Sequence, residues 1–264
     1  MSTVRIWKRP PFIKRAWLRW SLTIGGGLFV LVAIGTMDVN WQRVAAGAPR
    51  AERFIASFFP PDFASKSSDI WEGIFESLWM TVVSTVVGIL LSIPIGLGAA
   101  RNLAPRPIYL FFRGVLAVSR TFPEIIIALF AVKLFGFGPF AGIIALSIGS
   151  IGFYGKLLAE DIEDMDPVQA EAVKSTGSSW LQWLNYSVQP QVTPRMIGLA
   201  MYRFDINFRE SAVLGIVGAG GIGATLLTTF DRYEFSSSAT ILLIIIGIVM
   251  AVEYSSGYIR KWVQ

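Results

Sequence analysis

Long uncharged runs alternate with short charged segments along this chain. Residues 78–100, 134–155 and 235–252 contain no Asp, Glu, Lys or Arg, and about 20 apolar residues in a helix cross ~30 Å of hydrocarbon. Extending the same pattern predicts an all-α integral membrane protein of about six spans. A basic arm, 1–19, precedes a first span at 20–37. An extracytoplasmic loop, 38–70, is followed by a core, 71–261, carrying the other five. These cover about 74–100, 108–134, 140–159, 194–217 and 239–259. Pro94 bends the second, and Thr121-Phe122-Pro123 breaks the third. In the 38–70 loop, Phe54, Phe58 and Phe59 predict a short amphipathic helix, lying in the interface or packed on the protein itself. Residues 218–238 read as a glycine-rich polar connection.

One interval departs from the pattern. Between the fourth and fifth spans the chain stays polar from 160 to 195, far longer than a turn needs. Over 161–176, Ile162, Met165, Val168, Ala172 and Val173 fall near one helical face. Asp166-Pro167 supplies an N-cap followed by proline at the first helical position, and Gly177 suits the left-handed residue that ends a helix. Ser178 or Ser179 then caps a second helix, 180–188, stopped by Pro190. This predicts two short helices joined by a sharp turn.

Composition agrees. Of 264 residues, 53% are hydrophobic and 16% charged, against about 25% charged in soluble domains, and the mean hydropathy is +0.57. With neither Cys nor His, disulfides, thiolate chemistry and the commonest metal ligand are absent, so no cofactor or metal is expected. The +5 net charge does not indicate nucleic acid, because no basic strip carries interleaved aromatics. It follows instead from loop charges. Arg5, Lys8, Arg9, Lys14, Arg15, Arg19, Arg101, Arg106, Arg113, Lys156, Lys174, Arg195, Arg260 and Lys261 fall on the side of the termini. Arg43, Arg50, Arg53, Lys66, Lys133 and Arg232 fall opposite. That bias places both termini and the 160–195 segment in the cytoplasm. The basic arm also resembles the start of a signal peptide, but its length and the lack of a small-x-small site before Asp38 favour an uncleaved span.

Charges within spans are costly and commonly functional. Arg203, Asn207 and Glu210 share one face of the fifth span, Asp205 and Arg209 are spaced to pair, and Arg120 and Glu124 form a further i, i+4 pair beside Pro123. These are either mutually neutralising pairs or path-lining groups. In the second reading Arg120 or Arg209 meets a tetrahedral oxyanion through paired hydrogen bonds. Ser119 and Ser211 add hydroxyls, with Glu124 and Glu210 beside them. Gly218, Gly220 and Gly223 spell G-x-G-x-x-G but lack the strand–helix context of a dinucleotide site. Together with Gly221 they allow close backbone approach or form an amide-lined anion concavity on the path. Gly155-Lys156 is followed by Leu157 rather than Ser or Thr, so there is no P-loop and no ATP hydrolysis by this chain is expected.

Glu171-Ala172-Val173, Gly177 and Pro190 resemble the cytoplasmic loop of binding-protein-dependent ABC importer permeases. Val173 stands where that family usually has alanine, and Gln189 where it has an aliphatic residue. Tyr202 to Asn207 and Val213 to Gly223 further resemble the permease subunit of phosphonate importers, and the resemblance runs from about 71 to 261. It implies a type I importer permease fold in the bacterial cytoplasmic (inner) membrane. The partners it implies are two ATPase subunits docked on Asp166, Glu171, Ala172 and Gly177, a second permease copy, and an extracytoplasmic binding protein. The implied cargo is a phosphonate, phosphite or related phosphorus oxyanion. The alternatives are an ABC permease for another small solute, an ion-coupled secondary carrier, or a membrane scaffold.

Overall fold

A computed structural model describes residues 13, 15–37 and 40–263. Most of the basic arm, and Asp38, therefore fall outside the described residues. All described elements are helices, and they form two units, up to Ile55 and from Ala56 onward.

The first unit holds α1 (Ala16–Thr36) and most of α2 (Trp41–Ala56). α1 is long and apolar enough to cross a membrane. In α2 the Asn40 side chain accepts from the Arg43 N–H at 3.0 Å, capping the first turn. The phenylalanine-rich helix expected around 54–59 is thus longer and earlier, and Phe58 and Phe59 lie beyond its end. Phe58 belongs to the second unit and stacks on Phe235 at 5.5 Å.

The second unit comprises α3 (Ser67–Ala99), α4 (Arg106–Thr121), α5 (Glu124–Phe135), α6 (Pro139–Glu163), α7 (Pro167–Ser175), α8 (Trp180–Trp183), a π turn (Leu184–Val188), α9 (Gln189–Ile216), α10 (Ile222–Asp231) and α11 (Phe235–Val263). Besides α1, three helices suffice to cross a membrane, α3, α6 and α11, and α4 and α5 are apolar enough only when taken together, as one broken span or a re-entrant loop. α9 is long enough, at about 1.5 Å per residue, but carries five charged residues. Two of these, Arg203 and Asp205, are buried, whereas Arg195 and Arg209 are exposed.

The buried face of α3 is rich in small and polar residues. α3 exposes Trp71, Phe75 and Trp79 while burying Ser77, Thr81, Ser84, Thr85 and Ser92. Hydrocarbon supplies no driving force to bury apolar side chains, so spans associate through small residues and hydrogen bonds. α3 and α6 make the closest pairing, and at Gly88 an added Cβ would lie 2.4 Å from Ser150 Cβ. Gly88→Ala is therefore expected to force the pair apart and destabilise the bundle by about 1–3 kcal/mol. Thermal unfolding of the purified protein in detergent checks this, and an unchanged midpoint would refute it.

The expected break at Thr121-Phe122-Pro123 is present, as an 87° turn between α4 and α5. Two expectations change. The 218–238 connection contains α10, whose Thr228 hydroxyl is absorbed by its own backbone. Pro190 does not stop a helix: it sits in the first turn of α9, which continues from the π turn. A proline cannot donate to the carbonyl four residues back and its ring crowds it. The wider turn over Leu184–Val188 accommodates both effects.

Candidate functional site

The 87° bend aims the N-terminus of α5 at the middle of α9. About 230 Å³ of open space lies there, lined by Ser119, Arg120, Thr121, Glu124, Gly149 and Arg203 among others. Arg120 lies about 20 Å along α4 from its start.

Arg203 centres the site. It is only 3% exposed, and its Nε donates to Ser150 Oγ at 2.9 Å. Its Nη2 faces Glu124 Oε1 at 3.4 Å and Glu210 Oε2 at 3.7 Å, and its guanidinium lies 5.6 Å from the Phe153 ring centroid. Asn207 extends the network, donating from Nδ2 to Thr85 Oγ1 at 2.8 Å and Ser150 Oγ at 3.1 Å. Groups from α3, α5, α6 and α9 thus converge on one buried cation. Two glycines of α6 make the room. A Cβ on Gly149 would lie 2.5 Å from Glu124 Oε1 and 2.8 Å from Arg203 Nη2, and one on Gly152 would lie 2.8 Å from Ser119 Oγ.

The structure brings together four of the sequence-derived candidates, Ser119, Arg120, Glu124 and Glu210. It does not pair Arg120 with Glu124. The bend places them on helices of different direction, Glu124 turns to Arg203, and Arg120 makes no ion pair among the described residues. Ser119 donates to the Ile148 carbonyl at 2.7 Å. Arg209 does pair with Asp205, on another face of α9 and half exposed. Ser211 is buried, and its hydroxyl is satisfied by the Phe208 carbonyl of its own helix at 2.7 Å.

Gly218, Gly220 and Gly221 lie beyond the end of α9, roughly 20 Å from Arg203 along the axis. The amide that was expected to face an anion there already has one: Gly221 N–H donates to Glu76 Oε2 at 2.8 Å, and Ile222 N–H to Ser77 Oγ at 3.0 Å. Gly221 has φ +75°, which a residue with a Cβ rarely adopts. An internal carboxylate and a hydroxyl therefore cap α10. Sequence reasoning placed Arg203 on the right face but not at the centre. The i, i+3 pair Gly149/Gly152 was the signal that something bulky crosses α6 there.

The 160–195 segment forms a second surface. Asp166 caps α7, accepting from Val168 N–H at 2.9 Å, and Gly177 has φ +75°. Ser179 and Gln182 form a capping box on α8. Trp183 fastens the two helices: its Nε1 donates to the Ala170 carbonyl at 3.0 Å, and the Lys174 ammonium lies 4.3 Å above its ring. Ser178 Oγ donates to the Val173 carbonyl at 2.9 Å, and Val173 packs on the core cluster that includes Trp183. Gln189 is exposed, so its polarity costs nothing there. The hairpin is also tied to the bundle. Gln191 of α9 accepts from Asp166 N–H at 2.9 Å, and Ala170 and Trp183 pack in one core cluster with Leu158 and Ile162 of α6 and Val192 and Met196 of α9. Beside its base, Arg195 pairs with Asp161 and Glu163 with Arg113, each at 2.9 Å, bracing α6 against α9 and α4. Outward it presents Val168, Trp180, Leu181 and Tyr186, the last 75% exposed. Together with exposed Glu171, Ala172 and Gly177 they make an apolar-centred patch on a rigid mount, the composition of a docking surface.

A bundle of apolar helices with a buried charge network and a fastened polar hairpin at one end has the build of a transport permease. The chain belongs to the family of binding-protein-dependent transport system inner membrane components, whose model matches residues 92–264. It is 43% identical over 235 residues to the phosphate-import permease protein PhnE of Mycolicibacterium smegmatis, covering 88% of this chain but only 43% of that protein. The chain therefore spans less than half the length of that relative. The phosphite transport system permease protein PtxC of Stutzerimonas stutzeri is 35% identical over 242 residues, covering 91% of this chain and 87% of PtxC. The putative phosphite transport system permease protein HtxC of the same organism is 36% identical over 230 residues, covering 87% and 81%. Among solved structures, an inward-facing MetNI methionine ABC transporter shares the fold, with a TM-score of 0.66 at 22% identity over 74% of this chain and 96% of that one. The type I importer permease architecture expected from sequence is the one observed.

Proposed function

We propose that this chain is the permease subunit of an ATP-driven importer of phosphorus oxyanions, with the 160–195 hairpin as the surface on which separate ATPase subunits push. The observation that carries this reading is the mounted hairpin. Its exposed apolar patch has no use to a carrier driven by ions. The Asp166 N–H bond to Gln191 of α9 and the packing of Ala170 and Trp183 in one core cluster with α6 and α9 suit it to transmit force. The cargo class follows from the relatives named for phosphate and phosphite transport. The two guanidiniums at the recess, Arg120 and Arg203, match that chemistry.

In this reading Asp166, Glu171, Ala172 and Gly177 belong to the docking surface, facing the cytoplasm with both termini. Ser119, Arg120, Glu124, Arg209, Glu210 and Ser211 belong to the wall of the path or its support, and Gly218, Gly220 and Gly221 shape its far end. A second copy of the chain closes the path, two ATPases drive it, and an extracytoplasmic binding protein delivers cargo. The permease performs no covalent chemistry; it presents two conformations whose balance its partners shift.

The test is uptake of labelled phosphite and methylphosphonate into vesicles holding the chain with its cognate partners. Uptake is expected to require ATP and to stop on its depletion. Uptake that survives ATP depletion while an ion gradient is maintained would overturn the reading.

A further inference from the structure

We infer that Arg203 is the group that binds the oxyanion cargo, and that Glu124 occupies it as a built-in substitute when the path is empty. The inference rests on the proposed cargo class and goes further by naming the residue and its competitor. Arg203 is almost wholly buried, yet only its Nε makes a hydrogen bond of ordinary length, to Ser150. Charge-assisted N–H···O bonds to carboxylates usually measure about 2.7–2.9 Å. Here Nη2 reaches Glu124 at 3.4 Å and Glu210 at 3.7 Å, so its carboxylate contacts are long ones. The guanidinium lines the recess, which has room for a small tetrahedral anion beside it and Arg120 within reach as a second cation.

Glu124 is placed to leave. It stands in the first turn of the short helix α5, directly after the 87° bend, whereas Glu210 shares the α9 helix with Arg203 and cannot withdraw. Gly149 keeps the crossing point clear of any side chain. An arriving oxyanion offers Arg203 two oxygens in the fork geometry that guanidinium favours. It thereby replaces the carboxylate and frees the α5 terminus. Cargo binding is in this way linked to a shift of the bent segment, and an empty path keeps its cation neutralised.

The experiment measures phosphite and methylphosphonate binding to the purified complex, without binding protein or nucleotide, in nanodiscs. If Glu124 holds Arg203 most of the time, removing its charge raises apparent affinity by the inverse of the free fraction, about tenfold or more. Glu124→Gln should therefore bind phosphite about tenfold tighter than the wild type. The double variant Glu124→Gln with Arg203→Lys should lose most of that gain, because an ammonium keeps the charge but not the fork. Affinity unchanged by Glu124→Gln, or a gain that survives Arg203→Lys, overturns the inference. Should Glu124→Gln fail to assemble, hydrogen–deuterium exchange of residues 121–127 in the wild type decides: phosphite should accelerate it, and no change overturns the inference. Wild-type uptake in matched vesicles separates the two levels. If the wild type imports phosphite and these arms fail, only the role of Arg203 and Glu124 falls. If it imports no phosphorus oxyanion, the cargo assignment falls and this inference with it.

Discussion

Arg203→Met is expected to destabilise the folded permease by about 3–5 kcal/mol, the range seen when one partner of a buried ion pair is removed. That corresponds to a loss of more than a hundredfold in the folding equilibrium. The cost arises less from the missing contacts than from what stays behind. Glu124 and Glu210 would face each other within a low-dielectric bundle with no cation between them, and Ser150 Oγ would lose the Arg203 donor. Thermal unfolding in detergent, with yield of assembled complex as a second readout, measures the effect. Lys156→Met is the control. Its pair with Glu160 is an i, i+4 contact with both side chains more than a third exposed, and its loss should cost no more than about 0.5 kcal/mol. Combining Arg203→Met with Glu124→Gln and Glu210→Gln should recover much of the stability, since removing all the charges avoids stranding any. An Arg203→Met protein as stable as Lys156→Met would show that the network carries little of the fold.

That network marks where sequence reading stopped. Helical periodicity compares residues within one helix, so it matched Arg120 with Glu124 four positions on. It could not register that an 87° bend intervenes, nor that the true partner of Glu124 lies 79 positions away on α9. Glu76 and Gly221, 145 positions apart, were hidden for the same reason. Of the two readings of the glycines, close backbone approach is what the structure shows, and at Gly221 the chain supplies its own anion, Glu76. The third miss, Pro190, came from applying a helix-stop rule where a π turn relieves the clash that the rule assumes. The hairpin, by contrast, was legible. Its signals are local, an Asp-Pro start, a left-handed glycine end and a Ser cap, and each of these acts within four residues. The spans were legible because hydrocarbon imposes length and polarity on every residue of a crossing helix. Spacing put Arg203, Asn207 and Glu210 on one face of α9, but which face turned inward and which charge formed the hub required the tertiary fold.

The second large effect is expected at Gly177, where substitution with valine should reduce ATP-driven uptake at least about tenfold while leaving the bundle's stability nearly unchanged. No atom lies within 4 Å of an added Cβ, so space is not the obstacle. The obstacle is conformation: a left-handed backbone costs an ordinary L-residue about 1–2 kcal/mol, and a β-branched residue more. Valine would relieve that strain by rotating the turn, at the expense of the Gly177 N–H bond to the Lys174 carbonyl and the nearby Ser178 contact to Val173. α8 would then no longer present Trp180 and Leu181 at a fixed angle to α7, and the patch would lose the geometry that a rigid partner must meet. A displacement of about 1 Å in a positioned contact can cost a hundredfold in rate, so a reoriented helix is sufficient to break transmission. Gly177→Asn separates conformation from surface chemistry, because asparagine tolerates the left-handed region, and it should retain most of the uptake. Measuring ATPase activity and uptake on the same vesicles completes the test. If Gly177→Val supports uptake and coupled ATPase activity equal to the wild type with all partners bound, the hairpin is not the point at which the motor acts.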